Sequence, residues 1–384
     1  MALAMTDQLR ELLRRNAGVS EEMRMVAPDS VEAMRSAGLW AILTPAAWGG
    51  SEAGLREQVD SLFEVAAADS AAGWVQMVSN AHAWVVGNFP EECQREVFGE
   101  SANIVIPGTL AAQGQAKRRP EGWELTGRWQ FASGVDHGDW LLIGAIADEL
   151  PESDFPGLHL IVAKSDIDVD DTWHTLGLRG SGSKDLVADA VFVPAHRAMP
   201  SSTLFNGLSE HGEMHSTHIN RVPLLVCLSV QLAATVIGIA DSALSLHLER
   251  TAVRREVYTR SSKAKSVGSQ MRVAEAAVEL KTARMLVQAA ADRCDEVGTT
   301  GERLDIETRA ELKWNAAYAV ELSRRATERI FATSGANAIY NDSELQARYR
   351  DVNTACHHAI ADFDSTAEMR GRMLLGLDPG STLL

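Results

Sequence analysis

Cysteine is scarce in this chain of 384 residues: Cys93, Cys227, Cys294 and Cys356 are all there is, and none lies in a C-x-x-C pair. That spacing excludes a disulfide framework and a zinc knuckle, and makes a reducing cytoplasm the expected compartment. No G-x-G-x-x-G run follows a strand-like segment, so no nicotinamide site is expected. The opening Met1-Ala-Leu-Ala-Met-Thr-Asp has neither a basic region nor an apolar core, and no signal peptide is expected. Internal repeats and low-complexity tracts are missing. Positive charge is in deficit, with 36 Lys and Arg against 52 Asp and Glu, a net charge of −16. Nucleic acid and anionic membrane, both polyanions, are excluded as main partners. One long uncharged run, Val222 to Ala240, approaches the roughly 20 residues a membrane span needs. Its Ser229, Gln231, Thr235 and Gly238 favour a helix buried in a bundle instead.

What is present is an ordinary globular balance, 46% apolar and 23% charged, in a chain long enough for two or three domains. Residues 1–105 read as helical. Asp29-Ser30 is expected to cap a helix beginning at Val31. Leu55, Val59, Leu62, Phe63 and Ala66 set a helical period over 55–68. A second helix is expected from Ala71 to Val86, and Pro90 is expected to open another. Residues 106–215 change character: Trp123 to Gly127, Trp129 to Phe131, Trp140 to Gly144, Leu158 to Val162 and Leu186 to Val193 are short β-branched and aromatic runs between Gly, Pro and Asp. From 216 to 384 the helical period returns in four long segments, 222–249, 268–297, 304–333 and 343–374, which predict a bundle.

That order, with several local motifs, resembles the acyl-CoA dehydrogenase superfamily over essentially the whole chain. The motifs are Trp48-Gly49-Gly50, Leu176-Gly-Leu-Arg179-Gly180-Ser-Gly182-Ser183, Val191-Phe-Val-Pro194 and Tyr349-Arg350-Asp351. The resemblance implies a mainly α fold with a central β domain: an N-terminal helical domain, a β-barrel-like middle domain and a C-terminal four-helix bundle. Three segments are similar to one branch, the oxygenase components of two-component flavin-dependent monooxygenases. These are Gly127-Arg-Trp129-Gln-Phe131-Ala-Ser133-Gly134-Val-Asp136-His137, Asn80-Ala-His82-Ala-Trp84 and Arg350-Asp351 through His357-His358. Within the branch, p-hydroxyphenylacetate and 3-hydroxy-seco-androstatriene-dione hydroxylases carry such segments. Many dehydrogenases of the superfamily place a catalytic Glu where this chain has Ala359, so removal of an α-proton from a thioester has no evident agent.

The branch resemblance implies an enzyme that uses reduced flavin and O2, through a C4a-hydroperoxyflavin, to hydroxylate a phenolic or polycyclic aromatic substrate. It implies FMN in preference to FAD, a separate NAD(P)H-dependent flavin reductase, and a homotetramer. Ser133 is expected beside the flavin. His358 is expected to be the base that activates a phenol, with His357 next to it, and His82 to hold a phenolate or carbonyl oxygen. Trp84, Thr109 and Phe131 are expected to line the cofactor pocket. Arg254 is expected at the flavin phosphate, with Ala336 and Asn337 on a loop reaching flavin from a neighbouring subunit. An N- or S-oxygenase on the same fold and an acyl-CoA dehydrogenase-like FAD enzyme are the alternatives. His211, His215 and His218 have metal-ligand spacing, but their Gly, Ser and Asn neighbours suggest a polar linker, and no metal site is expected.

Overall fold

The period of residues 55–68 is realised residue for residue as α3 (Leu55–Ala68). The structure, a computed structural model, describes residues 5–147, 157–207, 209, 211, 212, 215 and 218–381. Before α3 come α1 (Asp7–Met23) and α2 (Pro28–Ser36); after it come α4 (Ser70–Val86) and α5 (Glu91–Phe98). The start of α2 differs from the expected cap at Asp29-Ser30. Pro28 is its first residue, a position where the missing N–H has no intrahelical partner to lose. α4 starts one residue earlier than expected because Asp69 is its N-cap, accepting from the backbone N–H groups of Ala71 and Ala72 at 2.9 and 3.2 Å.

Seven strands follow: β1 (Gly108–Arg119), β2 (Gly122–Ala132), β3 (Trp140–Ala147), β4 (Gly157–Ala163), β5 (Asp168–Asp170), β6 (Lys184–Pro194) and β7 (Ala198–Pro200). Among the described residues they form one mixed sheet in the order β5-β6-β2-β1-β3-β4-β7, parallel only between β1 and β3. Alternation along β3 and β4 gives the sheet two faces. Leu141, Ile143, Leu158 and Leu160 fill its own core, whereas Leu142 and Ile161 join the core of the helices. The register of β1 on β3 shifts between Thr109 and Ala112, so β1 bulges beside the helical layer.

The short α6 (Ser201–Phe205) leads to α7 (Leu224–Val253), α8 (Val267–Thr300), α9 (Ile306–Phe331), α10 (Glu344–Ala355) and α11 (Phe363–Leu374). The most apolar part of α7 has a mean hydropathy of 2.0, enough for a membrane by length and composition, yet 89% of it is buried inside the protein. It packs against α3, α8, α9 and α10 at the centre of the molecule. The expected fourth bundle helix over 343–374 is two helices. Asp362 caps a new one by accepting from Ser365 N–H at 2.8 Å, and the chain turns between them at Cys356 to Ala361.

Candidate active site

α4 is the spine of the site. It lies along residues 104–107, where Ser79 Oγ donates to Ile104 O at 3.2 Å and accepts from Ile106 N–H at 3.0 Å. One turn into α4, Trp74 Nε1–H donates to Ser133 Oγ at 3.1 Å. Ser133 Oγ is 2.7 Å from Ser183 Oγ, which is 2.7 Å from Ser181 Oγ. The other side of Trp74 carries His358, edge to face with ring centroids 5.8 Å apart. Trp74 therefore joins Ser133 at the end of β2 to the turn after α10.

The chain around Ser133 is shaped by backbone constraint. Gly134 has φ +78°, and a Cβ there would stand 2.6 Å from Val75 Cγ1, so only glycine brings the turn this close to α4. Phe131 also has a positive φ, +72°. That conformation turns its ring outward to 58% exposure, edge-on to Trp173 at 6.2 Å. A held, exposed aromatic face next to a buried hydroxyl is the setting for a planar ring ligand.

The two histidines have opposite hydrogen-bond polarity. His82 is buried and its Nδ1 lies 2.9 Å from Ile106 O. A carbonyl only accepts, so Nδ1 carries the proton and Nε2 the lone pair. Burial pushes its pKa down to about 4 against the pull of the Ile106 and Pro107 carbonyls, so the ring is neutral at pH 7. His358 is the reverse. Its Nδ1 accepts from Ile360 N–H at 3.2 Å, capping the turn, so the neutral ring presents Nε2–H. Crowding by surrounding protein lowers its pKa to about 4. The residue is nonetheless exposed, which blunts that shift without reversing it. His357 and His358 were expected on a helix; both lie in the turn, and only His358 packs on Trp74, while His357 is exposed. Ala359 opens the turn and brings no carboxylate.

Thr109 sits where the β1 bulge begins, three residues past the carbonyl that holds His82. No hydrogen bond or ring contact among the described residues joins Trp84 to this group. Two residues past His82, it lies about 200° round α4, is 2% exposed in the helical core, and its Nε1 finds no acceptor among the described residues. Arg254, Ala336 and Asn337 form a separate group. Arg254 donates to the carbonyls of Thr333 and Ser334 at the end of α9, and its guanidinium fills the space a Cβ at Gly335 would need. Ala336 and Asn337 are exposed beside it. Among the described residues no hydrogen bond, ion pair or ring contact joins this group to Ser133, His82 or His358.

Sequence reading missed a buried ionic core behind the site. Arg348 on α10 donates to Ser70 Oγ at 2.8 Å and Ala68 O at 2.9 Å, and lies 3.9 Å from Asp351. Asp351 accepts from Leu178 N–H at 2.7 Å, and Asp69 accepts from Ser20 Oγ at 3.2 Å. Burial raises the pKa of both carboxyls, and Arg348 is the chief influence lowering them. The cluster ties α10, the start of α4 and the 178–183 loop together.

The acyl-CoA dehydrogenase C-terminal domain family matches residues 230–363. The FADH2-dependent resorcinol hydroxylase oxygenase component of Rhizobium sp. is 30% identical over 381 residues, covering 96% of this chain and 92% of that one. The chain belongs to the flavin-dependent monooxygenases with the acyl-CoA dehydrogenase fold. Solved structures agree. 3-HSA hydroxylase from Rhodococcus sp. RHA1 superposes with a TM-score of 0.92 at 27% identity, over 98% of this chain and 97% of that one. XiaF from Streptomyces sp., in complex with FADH2 and glycerol, gives 0.88 at 25% identity, over 98% and 95%.

The residues of this monooxygenase fit a flavin: an outward aromatic face at Phe131, a buried hydroxyl at Ser133, and imidazoles of opposite polarity. A second buried imidazole, after His82, stands nearby. His159 on β4 contacts Ser201 Oγ at 3.1 Å, and burial lowers its pKa to about 4, with the Leu110 carbonyl opposing and His82 assisting. In the unfolded chain these rings titrate near 6.5. The unfolded state therefore binds more protons between pH 6.5 and 4, and stability is lost as pH falls through that window. Tm is expected to decline from pH 6.5 to 4.5, and His82→Asn to reduce the decline; thermal melts across pH check both.

Proposed function

We propose that the chain is the oxygenase component of a two-component system, taking reduced flavin from a separate NAD(P)H-dependent reductase and hydroxylating a small phenolic ring with O2. The observation that carries this reading is the pair of neutral histidines with opposite polarity, His82 offering a lone pair and His358 an N–H, in a site where Ala359 supplies no carboxylate base. Bound reduced flavin supplies the activation of O2. This reading exchanges the roles expected from sequence: it assigns the phenol proton to the Nε2 lone pair of His82, and the hydrogen-bond donor role to His358. With a pKa of about 4 His82 leaves a resting phenol of pKa about 10 un-ionised. As the ring gains oxygen, its O–H becomes that of a protonated dienone, a strong acid, and transfer to Nε2 becomes downhill. His358 Nε2–H and the Ser133 hydroxyl stand on the donor side, where negative charge on oxygen is stabilised. Removal of water is left to the buried aromatics Trp74 and Trp173.

FADH2 is favoured over FMN, because the resorcinol hydroxylase component is described as FADH2-dependent and XiaF holds FADH2. A homotetramer is also proposed. Val267, Met271, Val278 and Met285 form one exposed apolar stripe along α8, and Ile339 and Tyr340 are exposed beside Asn337. The Arg254 group, distant in contacts from Ser133, then serves a flavin bound mainly by a neighbouring copy. Light scattering is expected to give four times the chain mass of 41.6 kDa.

The function is tested by supplying the chain with an NADH-dependent flavin reductase, FAD or FMN, air, and either a resorcinol-type phenol or an acyl-CoA thioester. Phenol-dependent formation of a hydroxylated product is expected. Desaturation of the thioester without phenol hydroxylation contradicts the proposal.

A further inference from the structure

Ser181, Ser183 and Ser133 form a row of three buried hydroxyls running inward from the site. Exposure falls from 4% at Ser133 to 2% at Ser183 and 0% at Ser181. A hydroxyl has one proton to give and two lone pairs to fill. Trp74 Nε1–H can only donate, so it occupies one lone pair of Ser133. Ser183 has one proton to give, so the two remaining bonds, 2.7 Å each, allow three arrangements.

If protons point inward, from Ser133 to Ser183 to Ser181, the Ser181 proton has no acceptor among the described residues; if Ser133 and Ser181 both donate to Ser183, the proton of the buried Ser183 has none. A buried donor without a partner costs the full desolvation of that group, about 1–3 kcal/mol. If they point outward, from Ser181 to Ser183 to Ser133, every interior proton has an acceptor. Both lone pairs of Ser133 are then filled, by Trp74 and Ser183, and its own proton is left for the site. Aligned hydroxyls also polarise one another, which strengthens the outermost donor.

We propose that Ser183, backed by Ser181, is a positioning residue that with Trp74 fixes Ser133 as a one-way hydrogen-bond donor toward the bound flavin. This rests on the reading of Ser133 as a flavin contact. Ser183 and Ser181 touch no ligand themselves and act only through Ser133. The backbone supports the arrangement: Gly134 N–H donates to Ser181 O at 2.8 Å, so the β2 turn and the 181–183 loop are held in register. The Gly180-Ser-Gly182-Ser183 run is thus a part of the cofactor site rather than a loop signature alone.

The test is a double-mutant cycle on the full chain, read as the equilibrium affinity for anaerobically reduced FAD by fluorescence titration. Ser183→Ala is expected to weaken binding about threefold to tenfold, the range for a single hydrogen bond. Ser133→Ala is expected to weaken it at least as much. In the Ser133→Ala background, Ser183→Ala is expected to change nothing further, because its route of action is gone. Independent, multiplicative losses overturn the proposal, and so does full affinity in Ser183→Ala. If Ser133→Ala alone leaves affinity intact, the flavin contact at Ser133 fails and the proposal falls with it, an outcome distinct from the other two. Thermal melts of each variant accompany the titrations; should Ser183→Ala melt early, Ser181→Ala carries the same cycle with a smaller expected loss.

Discussion

His82→Asn is expected to lower the rate of phenol hydroxylation by about 10²- to 10⁴-fold, the usual worth of a positioned acid–base group. Asparagine is the informative replacement. Its side-chain N–H can stand where Nδ1 does and keep the bond to Ile106 O, while nothing replaces the Nε2 lone pair. Reduced-flavin affinity should stay within about twofold, since the substitution removes an acceptor and not a packing group. The loss should shrink for phenols acidic enough to be ionised at the assay pH, because these need no base. Steady-state rates over a series of phenols of graded acidity measure this. A uniform loss across the series contradicts the base role, and an unchanged rate contradicts it outright.

The largest structural effect is expected at Arg348. Arg348→Met keeps the length of the side chain and removes its charge, leaving Asp351 and Asp69 buried without their cation. Breaking a buried pair by removing one member costs about 3–5 kcal/mol. The sign of the pH dependence follows from the carboxyls. Burial already raises their folded-state pKa values, and loss of Arg348 raises them further, so the folded variant holds protons that the unfolded chain releases. Its deficit relative to the parent should therefore be greatest at alkaline pH and should narrow as pH falls. Denaturant unfolding at pH 8 and pH 5 checks both the size and the trend. A deficit that is small, or that widens toward acid, contradicts the account.

The parts of the fold that were legible are those whose signal is local. The period over α3 gave its limits to the residue, and the β-branched runs marked β2, β3, β4 and β6. The break between α10 and α11 was not legible, because it is made by side-chain caps at His358 and Asp362 rather than by Gly or Pro. That break is what sets His358 against Trp74. The start of α2 lies at Pro28 rather than after Asp29-Ser30, because a proline suits the first turn, where its missing N–H has no partner to lose.

The site was legible where a resemblance carried it and not where tertiary contact alone defines it. Trp74 links Ser133 and His358, while His82 sits further along the same helix on the Ile106 carbonyl. The polarity of the two histidines was beyond the sequence, since it depends on which carbonyl or N–H each ring meets, and the proposed exchange of their roles rests on it. Trp84 lies two residues past His82 and so about 200° round the helix from it, which sequence proximity alone does not show. Trp74, Ser181, Ser183 and Arg348 had weak signals: a Trp in a helix of small residues, a Gly-Ser-Gly-Ser run, and an Arg beside the Tyr349-Arg350-Asp351 motif. Only distances reveal that Trp74 joins the serine row and that Arg348 lies against Ser70 and Asp351.

The most direct test of the central claim is the origin of the oxygen in the product. The chain, supplied with reduced FAD under ¹⁸O₂ in ordinary water, is given a resorcinol-type phenol and the product is weighed by mass spectrometry. One ¹⁸O atom in each new hydroxyl group is the result predicted here. A hydroxylated product carrying oxygen from water, or a desaturated product carrying none, would contradict it.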